Sequence, residues 1–502
     1  MVFEAGGAQG RLRHTIVLIA LLVCALLVRL PGLSAPPLDA HHVRQADTAS
    51  MARVMARDGI DLLHPRIGWA GPDAGTVESE LPLYAALTAA GWAALGDSDG
   101  HVPAWPRALS ILAWLAGGLA LAAIVRRRLP ALPLWLPLVL YALSPLAVLF
   151  SRNIQPDALA VALLLAGIER ADAAGGRERG SALPIVLAGG LFGLAIACKG
   201  TMAFWLPLLP ALALRAPRPP TPALIGSVAC AVLLGGGWYL HAHQLGELGA
   251  SFKIWGAASG KWGSFATWFD LGTWRYLIGT AISHTGTLIG VALAAVGVYE
   301  ARREPALRPW VVGLGLGAVA MLVVTAGFRD HNYYQLPLVP FLSVLAGAGA
   351  HAVWQARQGV GRGAVGAGAA VLLGLLLLSV YQGRLFVQQG MEQDTRIGVV
   401  AASAAAVLPP QVATVVVDRH PQTLLFALDQ RGWHRQTLTV AELDQLEAWG
   451  AEALLITDRS PSWSDEAFVR TVRSARPLVA RGDGWNLLRL RVGAPLVAQP
   501  TR

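Results

Sequence analysis

Charged residues are scarce in this chain. Only 14% of its 502 residues are charged, against about 25% in an average soluble domain, while 54% are hydrophobic and the mean hydropathy is +0.50. These values exclude an ordinary soluble protein and favour one that lies largely in a lipid bilayer. Cysteine is rare as well, and Cys24, Cys198 and Cys230 lie in or beside apolar runs, which argues against a disulfide framework or a thiolate metal site.

Basic residues outnumber acidic ones, and the formal net charge is +9. They do not gather in one tail or along one stripe, as in many nucleic-acid-binding proteins, but separate the apolar runs from one another. The indicated partner is therefore the membrane and not a nucleic acid.

Apolar runs about as long as a membrane helix recur through the first three quarters of the chain. Eleven candidate spans lie at 14–30, 106–125, 131–150, 157–172, 182–198, 202–214, 221–240, 277–298, 309–326, 335–354 and 364–381. We expect the first to be an uncleaved membrane helix, because two prolines follow the small residues where cleavage would fall.

The orientation of the spans follows from the short basic loops, because Lys and Arg stay on the cytoplasmic side. With a cytoplasmic N-terminus, every cytoplasmic loop is basic: 126–128, 177–179, 215–218, 302–308 and 357–362. An odd number of spans then places everything after Tyr381 outside. We expect a multi-pass protein of the bacterial inner membrane.

The tail has a different pattern from the rest. Short apolar runs at 413–417 and 453–457 predict strands, and 421–431 predicts a helix between them. The predicted fold is thus mainly α: a polytopic transmembrane bundle of about 11 spans (1–381), followed by a small extracytoplasmic α/β domain (382–502).

The first outer loop, 31–105, collects polar side chains: His41, His42, Arg44, Gln45, Asp47, Glu78 and Glu80. Paired carboxylates beside a membrane suit an enzyme that deprotonates a hydroxyl or holds a divalent cation. The divalent cation could be Mg, Mn or Zn, and histidine together with carboxylate would suit Zn or Mn, with His42 as the candidate ligand, although the spacing is irregular. The alternative is an ordinary solvated loop.

Further polar residues lie on the same predicted face: Arg152, Asp157, Lys199, Arg329, His331, Tyr333 and Tyr334. The cations suit a phosphate, and the His and Tyr side chains can donate hydrogen bonds to phosphate or sugar oxygens. The alternative for each cation is a side chain that snorkels to anchor a helix end.

Taken together, the segments His41–Ala49, Glu78–Tyr84, Ser151–Asp157, Lys199–Gly200 and His331–Pro337 resemble membrane glycosyltransferases of the C superfamily. The nearest branch looks like the bacterial relatives of protein O-mannosyltransferases and of the lipid A aminoarabinose transferase. The resemblance implies an enzyme that transfers a sugar, with inversion, from a polyprenyl-phosphate carrier to an extracytoplasmic protein, lipid or glycan.

The resemblance also implies that Asp47 is the general base and Glu80 the second catalytic carboxylate, with Glu78 as a substitute. The chain departs from the family pattern, because relatives often have an Asp-Glu pair where this chain has Arg44-Gln45. Asp39 is therefore the alternative base. The residues expected to bind substrate are Arg44, Gln45, Glu78, Arg152, Asp157, Lys199, Arg329, His331, Tyr333 and Tyr334.

Two further segments have both a functional and a purely structural interpretation. Asp97-Ser98-Asp99 resembles a metal-binding Asp-x-Asp but is flanked by glycines, which favours a plain turn. The aromatic segment 252–275 is either an interfacial belt or a wall of a groove for the lipid tail, and the belt is favoured.

Two other functions remain open from the sequence. A polar-lipid transporter or flippase would need ionisable residues in mid-span, which are few here. A ligase that transfers whole glycans from a lipid carrier would need the same carboxylates and cations as a glycosyltransferase.

Overall fold

The computed structural model describes residues 8–97, 99–175, 182–215, 221–252, 254, 260–359, 361–410 and 412–491. The predicted loop 177–179, most of the loop 215–218, and Ser98 lie outside the described residues. The α-helices are α1 Ala8–Leu27, α2 His42–Asp58, α3 Leu83–Ala94, α4 Ala104–Arg128, α5 Trp135–Leu143, α6 Pro145–Phe150, α7 Asp157–Gly175, α8 Ala182–Cys198, α9 Leu208–Ala213, α10 Thr221–Leu248, α11 Phe265–Trp268, α12 Leu271–Thr280, α13 Leu288–Glu300, α14 Arg308–Val323, α15 Thr325–Asp330, α16 Leu338–Ala356, α17 Arg362–Gly390, α18 Thr395–Ala404, α19 Pro421–Ala427, α20 Val440–Ala448 and α21 Glu466–Ala475. The strands are β1 Val77–Glu78, β2 Ala250–Ser251, β3 Ala413–Val417, β4 Arg431–Arg435, β5 Ala453–Thr457, β6 Leu478–Gly482 and β7 Trp485–Arg489.

The chain divides into two compact units. The first comprises residues 1–33, 107–240 and 255–391, and the second comprises 34–106, 241–254 and 392–502. The second unit thus combines the first predicted outer loop with the tail. The sequence-based boundary between Tyr381 and Gln382 stays a prediction.

The first unit is a bundle of apolar helices. Among the described residues, five helices are long and apolar enough to cross a bilayer, and a sixth is added if the bent pair α12–α13 counts as one span. The helices pack closely where glycine faces backbone: a methyl group on Gly297 would collide with the Leu345 carbonyl, and one on Gly349 with that of Leu293. Such small residues let membrane helices approach each other.

The predicted count of eleven spans stays a prediction, because several of the predicted runs are interrupted or short. Ser144 precedes Pro145 and adopts an extended ψ of 123°, which divides the predicted span 131–150 into α5 and α6. The predicted span 202–214 consists of a 3₁₀ turn followed by the six-residue α9. The predicted span 277–298 is bent by 94° between α12 and α13.

The second unit contains a five-stranded sheet in the order β4-β3-β5-β7-β6. Strands β3, β4 and β5 are parallel, and β7 runs antiparallel to both β5 and β6. Both faces of the sheet are covered, since consecutive residues of a strand, such as Val415 and Val416, point to opposite faces and belong to different hydrophobic clusters. Strands β3 and β5 coincide with the two predicted strands, whereas the helix predicted at 421–431 ends at Ala427 because Arg431 already belongs to β4.

The rest of the second unit holds the polar part of the first predicted outer loop. Helices α2 and α3 pack through Met51, Met55, Ala85 and Trp92. Strands β1 and β2 form a short parallel pair in which Glu78 lies opposite Ser251. This pairing joins the carboxylate-bearing segment to residues about 170 positions later in the chain.

Candidate functional site

The carboxylate cluster lies on α2 and the segments that pack against it. His41 precedes α2 in the left-handed conformation, with φ of 54°, and thereby turns the chain into the helix. Arg44 and Asp47 are three residues apart and therefore share one face of the helix. The Asp47 side chain is buried, with 8% of the residue exposed.

Asp47 is held as a buried and reactive carboxylate. The Trp69 indole Nε1–H donates a hydrogen bond of 2.8 Å to Asp47 Oδ1. Burial raises the pKa of Asp47 to about 6, while the nearby Arg44 charge and the Trp69 hydrogen bond pull it down. A carboxyl group with this pKa is ionised at neutral pH yet basic enough to accept a proton, as general base catalysis requires.

The second carboxylate, Glu80, is held by the same arginine. Arg44 Nη2 forms a partly buried ion pair and hydrogen bond with Glu80 Oε2. The Arg44 guanidinium also lies 5.2 Å from the ring centre of Phe252. The arginine that departs from the family pattern therefore contacts Glu80, and its charge also acts on Asp47.

Glu78 lies next to this cluster through the β1–β2 pair. Ser251 Oγ donates a hydrogen bond to Glu78 Oε2, and the Phe252 backbone N–H donates one of 3.1 Å to the Glu78 carbonyl. The Phe252 ring lies 5.7 Å from that of Trp69. Residues 251–252 thus connect Glu78 to the rest of the cluster. The Phe252 ring lies near Arg44 and near Trp69, which contacts Asp47.

The alternative base, Asp39, is engaged elsewhere. Gln45 Nε2 donates a hydrogen bond of 2.6 Å to Asp39 Oδ1 and one of 2.9 Å to the Ala40 carbonyl. Asp39 and Gln45 are both fully buried. This geometry favours a role in fixing the start of α2 for both residues and leaves Asp47 as the stronger candidate base.

The structure gives His42 partners that the sequence did not predict. Among the described residues, one group of three His, Cys, Asp or Glu side chains brings its ligand atoms within 4.8 Å of one another, and it consists of His42, Asp394 and His420. Glu78 and Glu80 are not in this group. The metal role of His42 stays a prediction, but its possible co-ligands are Asp394 and His420 and not the two glutamates.

A second cluster lies within the first unit. Lys199 Nζ lies 3.3 Å from Asp157 Oδ1, and both side chains are almost completely buried. The same ammonium lies 4.5 Å from the ring centre of Tyr334 and 5.2 Å from that of Tyr333. The His331 ring lies 5.4 Å from Tyr333 and 5.3 Å from Tyr334. Five of the predicted substrate-binding residues are therefore neighbours.

The two remaining predicted cations have different surroundings. Arg152 is buried, and its Nη2 donates a hydrogen bond of 3.3 Å to the Gly32 carbonyl. Arg329 is largely exposed and pairs with Asp330, the next residue, at 2.9 Å. Exposed pairs of this kind contribute little to stability, so the structure gives Arg329 no fixed position of its own.

Sequence reasoning missed four residues that shape these clusters. Trp69 and Ser251 contact the carboxylates, and Phe252 belongs to a segment for which an aromatic belt was favoured. Arg29, at the end of the first apolar run, is fully buried and donates to Ser151 Oγ at 2.6 Å. An arginine within an apolar run is energetically costly unless it has a partner. Its position in the first apolar run was therefore the signal by which Arg29 could have been found.

The fold is similar to those of two solved structures, ArnT and the oligosaccharyltransferase AglB. Residues 80–235 match the family model described as dolichyl-phosphate-mannose-protein mannosyltransferase. No curated protein matches the sequence. The family resemblance predicted from the motifs is thereby confirmed.

Three solved structures carry the comparison. ArnT from Cupriavidus metallidurans, bound to undecaprenyl phosphate, is 15% identical, with 99% of this chain and 100% of that chain covered and a TM-score of 0.61. The archaeal oligosaccharyltransferase AglB from Archaeoglobus fulgidus, with an inhibitory peptide and a dolichol-phosphate, is 10% identical, covering 90% and 70%, with a TM-score of 0.56. An Archaeoglobus fulgidus oligosaccharyltransferase in complex with zinc and sulfate is 12% identical, covering 96% and 73%, with a TM-score of 0.55.

Proposed function

We propose that this protein is an integral-membrane glycosyltransferase that transfers a sugar from a polyprenyl-phosphate carrier to an extracytoplasmic acceptor, with inversion. The observation that carries the proposal is the buried Asp47, which accepts a hydrogen bond from Trp69 and whose pKa burial raises to about 6. The family model and the fold support the same class. ArnT was crystallised with undecaprenyl phosphate and AglB with a dolichol-phosphate, which supports a lipid-phosphate donor.

The proposed step uses Asp47 as a general base. The acceptor hydroxyl gives its proton to an Asp47 carboxylate oxygen, and its oxygen forms a bond to the anomeric carbon. The bond between that carbon and the carrier phosphate oxygen breaks, and its electron pair leaves with the polyprenyl phosphate. Proton transfer to a positioned base typically contributes about 10²–10⁴-fold to the rate.

The remaining residues receive roles from their own surroundings. Arg44 and Glu80 position Asp47 and tune its charge, because Arg44 contacts the second carboxylate and interacts with the first. Lys199 is assigned to the carrier phosphate, with Tyr333, Tyr334 and His331 as hydrogen-bond donors. The ammonium has three donors, so its pairing with Asp157 leaves it able to bind an anion as well.

We propose that the molecule spans the bacterial inner membrane with a cytoplasmic N-terminus. The five or six long apolar helices and the basic loops support this placement. The count of eleven spans, and the tail 382–502 as a separate extracytoplasmic domain, are part of the same proposal. The proposed topology predicts that a cysteine introduced in place of Asp61 or Asp465 reacts, in intact cells, with a thiol reagent that cannot cross the membrane. A cysteine in place of Arg303 should not react.

The function is tested with purified protein and a panel of radiolabelled polyprenyl-phosphate sugars, incubated with cell-envelope extracts as the source of acceptor. We expect one labelled sugar to leave its carrier with wild-type protein and not with Glu80→Gln. Glu247→Gln, whose side chain is 70% exposed, is the matched control and should retain wild-type transfer. No turnover of any carrier by folded wild-type protein would contradict the proposal.

A second candidate is a ligase that transfers whole glycans from a lipid carrier. The likeness to the oligosaccharyltransferase AglB over 90% of this chain favours keeping it. The product separates the two functions, because a gain of one sugar mass on the acceptor indicates monosaccharide transfer. A gain equal to the whole carrier-bound glycan indicates the ligase.

Replacing Trp69 with phenylalanine is expected to move the acid limb of the pH–rate profile upward. The indole hydrogen bond stabilises the ionised form of Asp47, so its loss raises the pKa of Asp47 above about 6. Because the base must be deprotonated, kcat/KM should fall more at pH 6 than at pH 8. Trp105→Phe, which loses a bond to the Thr88 carbonyl, is the control. An unchanged limb in Trp69→Phe would show that Asp47 is not the group that titrates.

A further inference from the structure

We propose that His42, Asp394 and His420 form a binding site for one divalent transition-metal ion, with Zn²⁺ as the best-fitting ion. Their ligand atoms lie within 4.8 Å of one another, although the residues come from three separate segments of the second unit. His42 begins α2, Asp394 precedes α18, and His420 precedes α19. A single ion at this point would cross-link the helix that carries Asp47 to two segments of the tail.

The His42 ring has a hydrogen-bond partner that could fix its orientation as a metal ligand. His42 Nδ1 lies 2.9 Å from Thr423 Oγ1, and Thr423 is fully buried. When the hydroxyl accepts from Nδ1–H, the Nε2 lone pair is left for a metal, and such an outer hydrogen bond is the usual way of fixing a ligating histidine. The two rings are 4.6 Å apart and nearly perpendicular, so they are close without being stacked.

The third ligand, Asp394, is already paired with Arg459, and a carboxylate can bind a metal ion in addition to such a partner. Arg459 Nη1 donates a hydrogen bond of 3.0 Å to Asp394 Oδ1, and Nη2 lies 2.9 Å from Oδ2. A carboxylate has about four lone-pair positions, so it can accept from a guanidinium and still bind a cation. Asp418 lies 3.8 Å from Arg459 Nε, so two carboxylates face one guanidinium.

The donor set selects the kind of ion. Two imidazole nitrogens and one carboxylate suit zinc and similar first-row ions, whereas Mg²⁺ and Ca²⁺ prefer oxygen ligands alone. Zinc bonds of about 2.0–2.2 Å place neighbouring tetrahedral ligands about 3.3 Å apart, so small side-chain rotations close the group. The fourth position would be taken by water.

The experiment measures metal binding to full-length protein that has been purified in detergent and stripped with a chelator. We expect wild-type protein to bind Zn²⁺ by calorimetry and to unfold at a higher temperature when Zn²⁺ is present. His42→Ala, His420→Ala and Asp394→Asn should each weaken this binding by tenfold or more. Asp394→Asn keeps a side chain that can cap α18, so loss of binding there does not reflect loss of the helix start.

His101→Ala is the matched control, because this exposed histidine lies in the same unit and outside the group. It should bind Zn²⁺ as wild-type protein does, and Mg²⁺ should not compete. X-ray absorption of the zinc-loaded wild type should show nitrogen and oxygen ligands, with two imidazoles among them. This measurement does not depend on the folding of any variant. Equal affinity in wild type and His420→Ala, or no Zn²⁺ binding by folded wild type, would overturn the proposal.

Discussion

Replacing Asp47 with asparagine is expected to reduce sugar transfer by about 10²–10⁴-fold, because the acceptor hydroxyl then has no base to take its proton. The protein should remain folded. Burial raises the pKa of Asp47 from 3.8 to about 6, so the folded state holds this proton more tightly than the unfolded chain does. Stability therefore falls as pH rises through that window, because Asp47 is half ionised near pH 6 and almost fully ionised at pH 8.

The asparagine variant avoids this charge, so its melting temperature at pH 8 should equal or exceed that of wild type. The difference should shrink at pH 5, where wild-type Asp47 is largely protonated. Asp61→Asn is the control, since its side chain is 55% exposed and lies in the same predicted outer loop. Transfer by Asp47→Asn close to the wild-type rate, together with its loss in Asp39→Asn, would move the base to Asp39.

The parts that the sequence predicts well are those set by local pattern. The β-branched run at β3 and the apolar run at β5 were visible as strands because neighbouring residues alone determine them. The positions of the apolar helices were visible for the same reason. Their breaks were not, since the turn at Ser144 and the bend before α13 depend on single residues within runs that stay apolar throughout.

The candidate site was predictable in its residues and not in its pairings. The acidic and basic side chains stood out because polar groups beside membrane helices are few. Their partners are distant in sequence: Trp69 lies 22 positions from Asp47, and Ser251 lies 173 positions from Glu78. Contacts of this range depend on the fold as a whole, and one sequence contains no local signal for them.

Replacing Lys199 with methionine is expected to lower both stability and transfer. Lys199 and Asp157 form a pair whose side chains are 3% and 4% exposed. Removing one partner of a buried pair typically costs about 3–5 kcal/mol, because the other charge stays in a medium of low dielectric constant. If Lys199 also binds the carrier phosphate, the loss of its charge should slow transfer by a further factor of about 10²–10³.

The double variant Lys199→Met with Asp157→Asn separates these two effects, because replacing both members of a buried pair is often nearly neutral. Its melting temperature should return towards that of wild type, while transfer should stay low, since the phosphate has still lost its cation. Arg303→Met is the control for a lost surface charge, as its side chain is 73% exposed and its partner Glu300 is 3.9 Å away. Recovery of both melting temperature and transfer in the double variant would show that Lys199 serves packing alone, and the phosphate would then need another cation, of which the buried Arg152 is the first to test.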